Sequence, residues 1–213
     1  MGTVVRNRHE VVVRGQVASA HSVQLFDDSE SLAGTVAAFL FDGWRRGEPL
    51  LVAARPTHWA LISRDLAARG CPIEQTIREE RLVVLDAAAT LATFVQNGNP
   101  LPDRFTETVA RVVGDLSARF GTRLRIYGEM VDILAAQGEF AAAHKLEQLW
   151  NQLAAAYSFT LLCGYESGHF GDPRSDSILR AICEAHDHAT AGPHDLLASW
   201  LLAQRQPRLH IQA

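Results

Sequence analysis

Five short apolar runs in this 213-residue sequence each end on residues able to do chemistry. Asp27-Asp28-Ser29-Glu30 follows the run 22–26, and Arg55 follows 50–54. Asp86 follows 82–85, Gly128-Glu129-Met130 follows 123–127, and Tyr165-Glu166 lies just past 159–163. Carboxylates and an arginine at the ends of such runs suit acid–base work or recognition of a polar group. Polyphosphate binding would instead need a loop of the form GxxxxGK[ST]. No such loop is present, and the single lysine, Lys145, falls in the middle of a helical pattern. The first turn carries three carboxylates where a phosphate loop offers bare N–H groups, so further negative charge is repelled. Asp27 and Asp28 also read as ordinary helix caps. The alternative reading is a divergent nucleotide-binding protein that holds magnesium on this acidic turn.

Other reactive types are weaker signals. Glu129 is suited to accept a hydrogen bond from a ligand or partner, or to pair with an arginine. Met130 reads as a pliable pocket wall or as core. His21 opens the first run, at the end away from the expected ligand edge, and reads as structural. Glu147 and Asn151, four residues apart, share a helix face. Cys183-x2-His186-x-His188, with His169 and His194 nearby, has metal-ligand residue types. His186 and His188 point to different sides of a helix, however, and only one cysteine is local, so no metal is assigned. Cys163, inside an apolar run, reads as inert packing. There is no G-x-S-x-G elbow. The sequence therefore predicts no catalytic residue and no cofactor.

These residues need elements to position them. The five runs are nearly continuous in Val, Leu and Ile, as strands covered on both faces are. Helical patterns alternate with them: 29–46, 56–69 with Pro56 at its start, a short one at 88–96, then 105–120 and 138–157. The fourth repeats Phe105, Val109, Val112, Leu116 and Phe120 and stops at Gly121. A last helix is expected from Ser175 to about His188, after a loop over 164–173. Strand–helix alternation five times over predicts an α/β fold with an open, mainly parallel sheet and helices on both faces. The organisation read from this is an N-terminal arm (1–19), a domain (20–190), and a C-terminal tail (191–213) whose Leu196, Leu197, Trp200 and Leu201 form one apolar stripe.

Composition narrows the function. A net charge of −4 and a pI of about 6.1 give no basic face for nucleic acid and no attraction to anionic membranes. No apolar run approaches the ~18 residues of a membrane span. Three widely spaced cysteines do not suggest a disulfide framework. The first 20 residues hold no signal-peptide core, so a cytoplasmic location is expected.

Several stretches together resemble one family. HSVQLFDD (21–28), FLFDGWRRGEPLLVAA (39–54), YGEMVDILAAQG (127–138), LEQLWNQL (146–153) and FTLLCGY (159–165) are similar to the MEDS domain, the sensory domain of methanogens and methylotrophs named from the regulator DcmR. The resemblance implies a RecA- or KaiC-like core that has lost its phosphate loop and senses small molecules, often hydrocarbon derivatives. It also implies a regulatory partner: a histidine kinase, an anti-sigma factor or a transcription factor, with a homodimer left open. No helix-turn-helix or kinase motif accompanies the domain in this sequence, so the signal is expected to pass to a separate protein. The expected ligand site, at the carboxyl ends of the strands, comprises Phe26, Asp28, Arg55, Trp59, Glu129, Met130 and Tyr165.

Overall fold

The computed structural model describes residues 20–170 and 176–203. The N-terminal arm, the end of the loop 164–173 and the tail beyond 203 lie outside the described residues. The chain runs through β1 (Ala20–Phe26), α1 (Ser29–Arg45), β2 (Leu50–Ala54), α2 (Pro56–Ala68), α3 (Ile73–Arg78), β3 (Leu82–Asp86) and α4 (Ala87–Phe94). A two-stranded hairpin, β4 (Val95–Gln96) and β5 (Asn99–Pro100), precedes α5 (Pro102–Phe105), a π turn (Thr106–Ala110) and α6 (Arg111–Phe120). Then come β6 (Leu124–Gly128), α7 (Met130–Ala136), α8 (Phe140–Ala154), β7 (Phe159–Glu166), a 3-10 turn (Ser167–Phe170), α9 (Asp176–Glu184), β8 (His188–Ala191) and α10 (Leu196–Ala203).

Six strands form one sheet in the order β3-β2-β6-β7-β1-β8, and every pairing is parallel. The carboxyl ends of β2, β6, β7 and β1 therefore stand side by side. Alternation along each strand divides the interior into two cores. Val23, Leu25, Leu51, Ala53, Ile126, Leu161, Cys163 and Tyr165 face α4 to α9. Phe26, Leu50, Val52, Tyr127 and Leu162 face α1 and α2. In the first core Trp150 meets Phe105 and Phe159 edge-on, at 5.5 and 6.2 Å between ring centroids. Each such fully buried side chain contributes roughly 1.5–3 kcal/mol through removal of apolar area from water.

Two expectations change. The stripe over 105–120 is broken by the π turn, whose extra residue rotates the positions after it around the helix axis. Val113 is consequently buried, and Val112 is only half-buried. The last helix stops at Glu184, and His188–Ala191 forms an edge strand on β1. That strand alternates exposed and half-buried residues and has no apolar run to announce it. No helix among the described residues is long and apolar enough to cross a membrane.

Candidate functional site

The turn after β1 is filled by the chain's own carboxylates. Asp28 caps α1, its Oδ1 accepting the Ser31 N–H at 2.8 Å. Asp195, fully buried, arrives from the segment before α10. Its carboxylate accepts the Asp27 N–H at 3.0 Å, the Ser31 hydroxyl at 2.6 Å and the Gly192 N–H at 2.9 Å. A β-carboxylate thus sits on an N–H and a hydroxyl that a phosphate loop would turn toward its ligand. Asp27 faces the other way and caps α10, accepting the N–H groups of Leu197 and Ala198 at 2.8 and 3.0 Å. Glu30 is on the surface, paired with Arg64 at 2.6 Å. Lys145 is occupied on α8, donating to Asn99 Oδ1 at 2.7 Å.

Beside this turn a continuous polar network crosses the sheet edge, centred on Glu129, which has no exposed surface. Glu129 Oε1 accepts the backbone N–H of Arg55 in a very short hydrogen bond. Its Oε2 accepts from His58 Nδ1 at 2.6 Å and from the Tyr127 hydroxyl at 3.0 Å. The Arg55 guanidinium, about a quarter exposed, lies 3.5 Å from Glu129 Oε1 through Nη1 and donates from Nη2 to Asp132 Oδ2 at 2.7 Å. Asp132 Oδ1 accepts the Glu166 N–H at 2.8 Å and the His169 Nε2–H at 3.0 Å.

Local sequence explains the placement. Pro56 opens α2 immediately after β2, so His58 lies in the first turn and points back at the edge. Asp132 lies in the first turn of α7, three residues after Glu129. Gly164 lets the Tyr127 ring reach Glu129, because a Cβ there would lie 2.9 Å from its hydroxyl oxygen. At the opposite end of the sheet, Gly43 serves a structural cluster: its missing Cβ makes room for Arg125, which pairs with Glu48 at 2.8 Å.

Electrostatics follow from burial and partners. Burial pushes the Tyr127 phenol well up, helped by Glu129, so it stays protonated and donates. Burial alone would raise the Asp132 carboxyl, but His169, the Glu166 N–H and Arg55 together hold it below its ordinary value. The hydrogen bond to Asp132 raises His169 against the pull of its partial burial. Arg55 Nη1 is buried and makes no hydrogen bond of its own, which leaves a cationic N–H for an incoming acceptor.

His58 also links this network to the first turn. Since a carboxylate only accepts, His58 Nδ1 carries a proton, and in the neutral ring Nε2 accepts from the Ser29 hydroxyl at 3.1 Å. Ser29–His58–Glu129 is therefore a serine–imidazole–carboxylate line of the kind that raises hydroxyl nucleophilicity.

Of the seven predicted residues, Arg55 and Glu129 are in direct contact. Phe26 lies edge-on to His58 at 6.0 Å, and Trp59 packs in the same core. Asp28 is exposed at its cap. Met130 and Tyr165 lie on the other face, and the Tyr165 hydroxyl donates to Glu147 at 2.9 Å. Sequence reading missed Ser29, His58, Asp132 and His169 as partners in one network. Their signal was available: polar residues within the first few positions after a parallel strand aim back at the shared edge. Two clefts, of about 480 and 400 Å³, flank α8, beside the π turn and beside α9 respectively. None of the seven residues lines either cleft.

Comparison with known proteins is consistent with this architecture. A structure of an uncharacterized protein from Pyrococcus horikoshii, in complex with an unknown peptide, is similar to this chain with a TM-score of 0.59 and 15% identity, covering 81% of this chain and 76% of that one. A KaiC-like protein from the same archaeon gives a TM-score of 0.48 and 17% identity over 68% of this chain, which spans 62% of the KaiC-like chain. No curated protein matches the sequence. The sequence model described as MEDS, the methanogen/methylotroph, DcmR sensory domain, matches residues 20–187. The matched span takes in the six-stranded sheet almost entire, the carboxylate-filled turn and the whole Glu129 network, and the chain belongs to the MEDS family.

Proposed function

We propose that this chain is a non-catalytic signalling sensor that binds a small, mostly apolar molecule, a hydrocarbon derivative by class, at the carboxyl edge of its sheet. The ligand enters on the side carrying Phe26, Asp28, Arg55, Trp59 and Glu129, backed by Met130 and Tyr165 from the opposite face. A recognition site of this kind needs apolar walls and a few convergent polar groups. The observation that carries the reading is Glu129: a fully buried carboxylate held by groups from the β2–α2 junction, α2 and β6, next to a buried guanidinium N–H with no hydrogen bond. A ligand acceptor drawn to Arg55 Nη1 shifts the guanidinium whose Nη2 holds Asp132 and so loosens α7 and the segment after β7.

The same edge offers a route to a regulatory partner, a kinase, anti-sigma factor or transcription factor. The β1–α1 turn carries Ser29, which contacts His58, and also Asp27 and Ser31, which hold Asp195 and α10. Movement in the network therefore bears on α10. That helix buries Ala198 and Leu201 and exposes Leu196 (76%), Leu197 and Trp200 (57%). The expected four-residue stripe is thus three exposed residues and one anchor, and the three form the proposed docking face.

Mass spectrometry of small molecules released from the purified full chain tests this reading, with hydrogen exchange on the refilled protein. The expected result is a released apolar compound whose re-addition protects residues 53–59 and 127–133 and which is lost in Glu129→Gln. Protection confined to either cleft beside α8 would overturn the location. A second reading, a hydrolase using Ser29, is favoured by the Ser29–His58–Glu129 line alone. A fluorophosphonate adduct on Ser29 that disappears in His58→Ala would establish it and overturn the non-catalytic one.

A further inference from the structure

A second buried polar cluster lies on the other face of the sheet, and none of its four members is among the seven residues of the sensor site. It joins His21 of β1, Cys163 of β7, Glu147 of α8 and His186, which follows α9. All four residues are buried, and one ligand atom from each lies within 4.8 Å of the others. His21 Nε2 is 3.3 Å from Cys163 Sγ and 3.1 Å from Glu147 Oε2. Cys163 Sγ is 3.4 Å from Glu147 Oε2, and His186 Nε2 is 3.3 Å from Glu147 Oε1.

The outer contacts decide what these atoms are for. His21 Nδ1 lies 2.8 Å from Asn151 Oδ1, and Asn151 in turn donates its amide N–H to the Ala185 carbonyl at 3.1 Å. His186 Nδ1 lies 2.6 Å from the Ile182 carbonyl oxygen. Oxygen acceptors place a proton on Nδ1 in both histidines, so in the neutral rings both Nε2 lone pairs turn toward one point. His186 Nε2 is fully buried and, despite its proximity to Glu147, forms no hydrogen bond. Two lone pairs facing a carboxylate and a sulfur repel one another unless both rings take a second proton or one cation lies between them.

We propose that His21, Glu147, Cys163 and His186 form a closed, tetrahedral site for one divalent transition-metal ion of the zinc class. Metal–ligand bonds of about 2.0–2.3 Å in a tetrahedron separate the ligand atoms by about 3.3–3.8 Å, close to the contacts above. Thiolate and carboxylate together supply two negative charges against a divalent cation, so the buried site is neutral when filled. The mixed nitrogen, sulfur and oxygen donors suit a borderline-soft ion. Asn151, the Ile182 carbonyl and the Tyr165 hydroxyl, which donates to Glu147 at 2.9 Å, supply the outer shell. The ion would tie the segment after α9 to β1, β7 and α8. Of the C-terminal Cys/His group noted in the sequence, only His186 contributes, whereas His188 and His194 are exposed and His169 belongs to the Asp132 network.

The test uses the full chain, dialysed against zinc and then against buffer, with metal measured by mass spectrometry and cobalt(II) added as a spectroscopic probe. The expected result is close to one zinc ion per chain and a thiolate-to-cobalt charge-transfer band. Cys163→Ser should remove the band, Asn151→Ala should weaken affinity by about 10–100-fold, and His188→Ala should leave both unchanged. Should Cys163→Ser fail to fold, the wild-type cobalt spectrum and the Asn151→Ala affinity still decide. Substoichiometric zinc, a cobalt complex without the thiolate band, or unchanged zinc content in a folded Cys163→Ser would overturn the proposal. None of these readouts involves the apolar ligand, so the sensor reading and the metal site stand or fall separately.

Discussion

Glu129 and Glu147 are both fully buried carboxylates, yet they are held by opposite chemistry. Glu129 is held by three donors, a backbone N–H, a phenol and an imidazole N–H, and lies beside a guanidinium. Protons alone satisfy it. Glu147 has two donors, Tyr165 and the Cys163 thiol, and two imidazole nitrogens whose protons are committed elsewhere. It is satisfied only if both rings take a second proton or if a metal ion replaces those protons. A fully buried carboxylate calls for positive charge beside it, here from protons on both rings or from a metal ion. The contrast teaches how to separate a network that can yield to a ligand from one that is sealed. The first has a part-exposed arginine at its rim, and the second has no exposed member.

Perturbing both sites in parallel sharpens the comparison. The largest effect is expected for Glu147→Ala, which leaves buried basic groups without a counter-charge and should cost about 3–5 kcal/mol in urea unfolding. If that variant is no less stable than wild type, Glu147 is not the anchor described. Glu129→Gln should cost less, about 1.5–3 kcal/mol, because Arg55 keeps Asp132 and only charge-assisted hydrogen bonds weaken. A chelator should lower the melting temperature of wild type and of Glu129→Gln alike, but not that of Glu147→Ala. Equal chelator sensitivity in all three would erase the distinction.

Smaller effects concern pH and the surface. Asp132 has a lowered folded pKa, so its contribution is present above its unfolded value near pH ~3.9 and is lost as pH falls through the folded value. His169 has a raised folded pKa, so its contribution is complete below its unfolded value near pH ~6.5 and is lost as pH rises through the folded value. The pair therefore supports the fold best between about pH 4 and 6.5. Asp132→Asn should flatten both flanks of the stability–pH curve, and an unchanged curve would show the pair to be inert. The least effect is expected at the exposed Arg64–Glu30 pair, where Glu30→Ala should leave the melting temperature unchanged within error.

Much of the scaffold was legible in the sequence. The runs 50–54 and 82–85 are strands within a residue of those bounds: β2 is buried throughout and so must be apolar, and the edge strand β3 keeps an unbroken Leu-Val-Val-Leu run although it is mostly half-buried. Strand order was not legible, since all five runs look alike and only packing decides their neighbours. The edge strand His188–Ala191 was invisible because it pairs on one side and stays half-exposed. Arg55 and Glu129, singled out for their places after strands, do meet in one polar network. The Glu147 cluster was missed because its members sit 16 (Glu147 to Cys163) to 165 (His21 to His186) residues apart, and a lone Cys163 in an apolar strand looks like packing. Asp195 was missed for the same reason: no local pattern reveals that a carboxylate 164 residues away accepts the Ser31 hydroxyl.

That carboxylate supplies the most direct test of a sheet edge closed to polyphosphate. Calorimetric titration of the full chain with ATP and magnesium should show no saturable binding up to millimolar nucleotide, because Asp28 and Asp195 already hold the Ser31 N–H, the Asp27 N–H and the Ser31 hydroxyl. Saturable binding that disappears in Asp28→Ala, or turnover of ATP, would contradict the account.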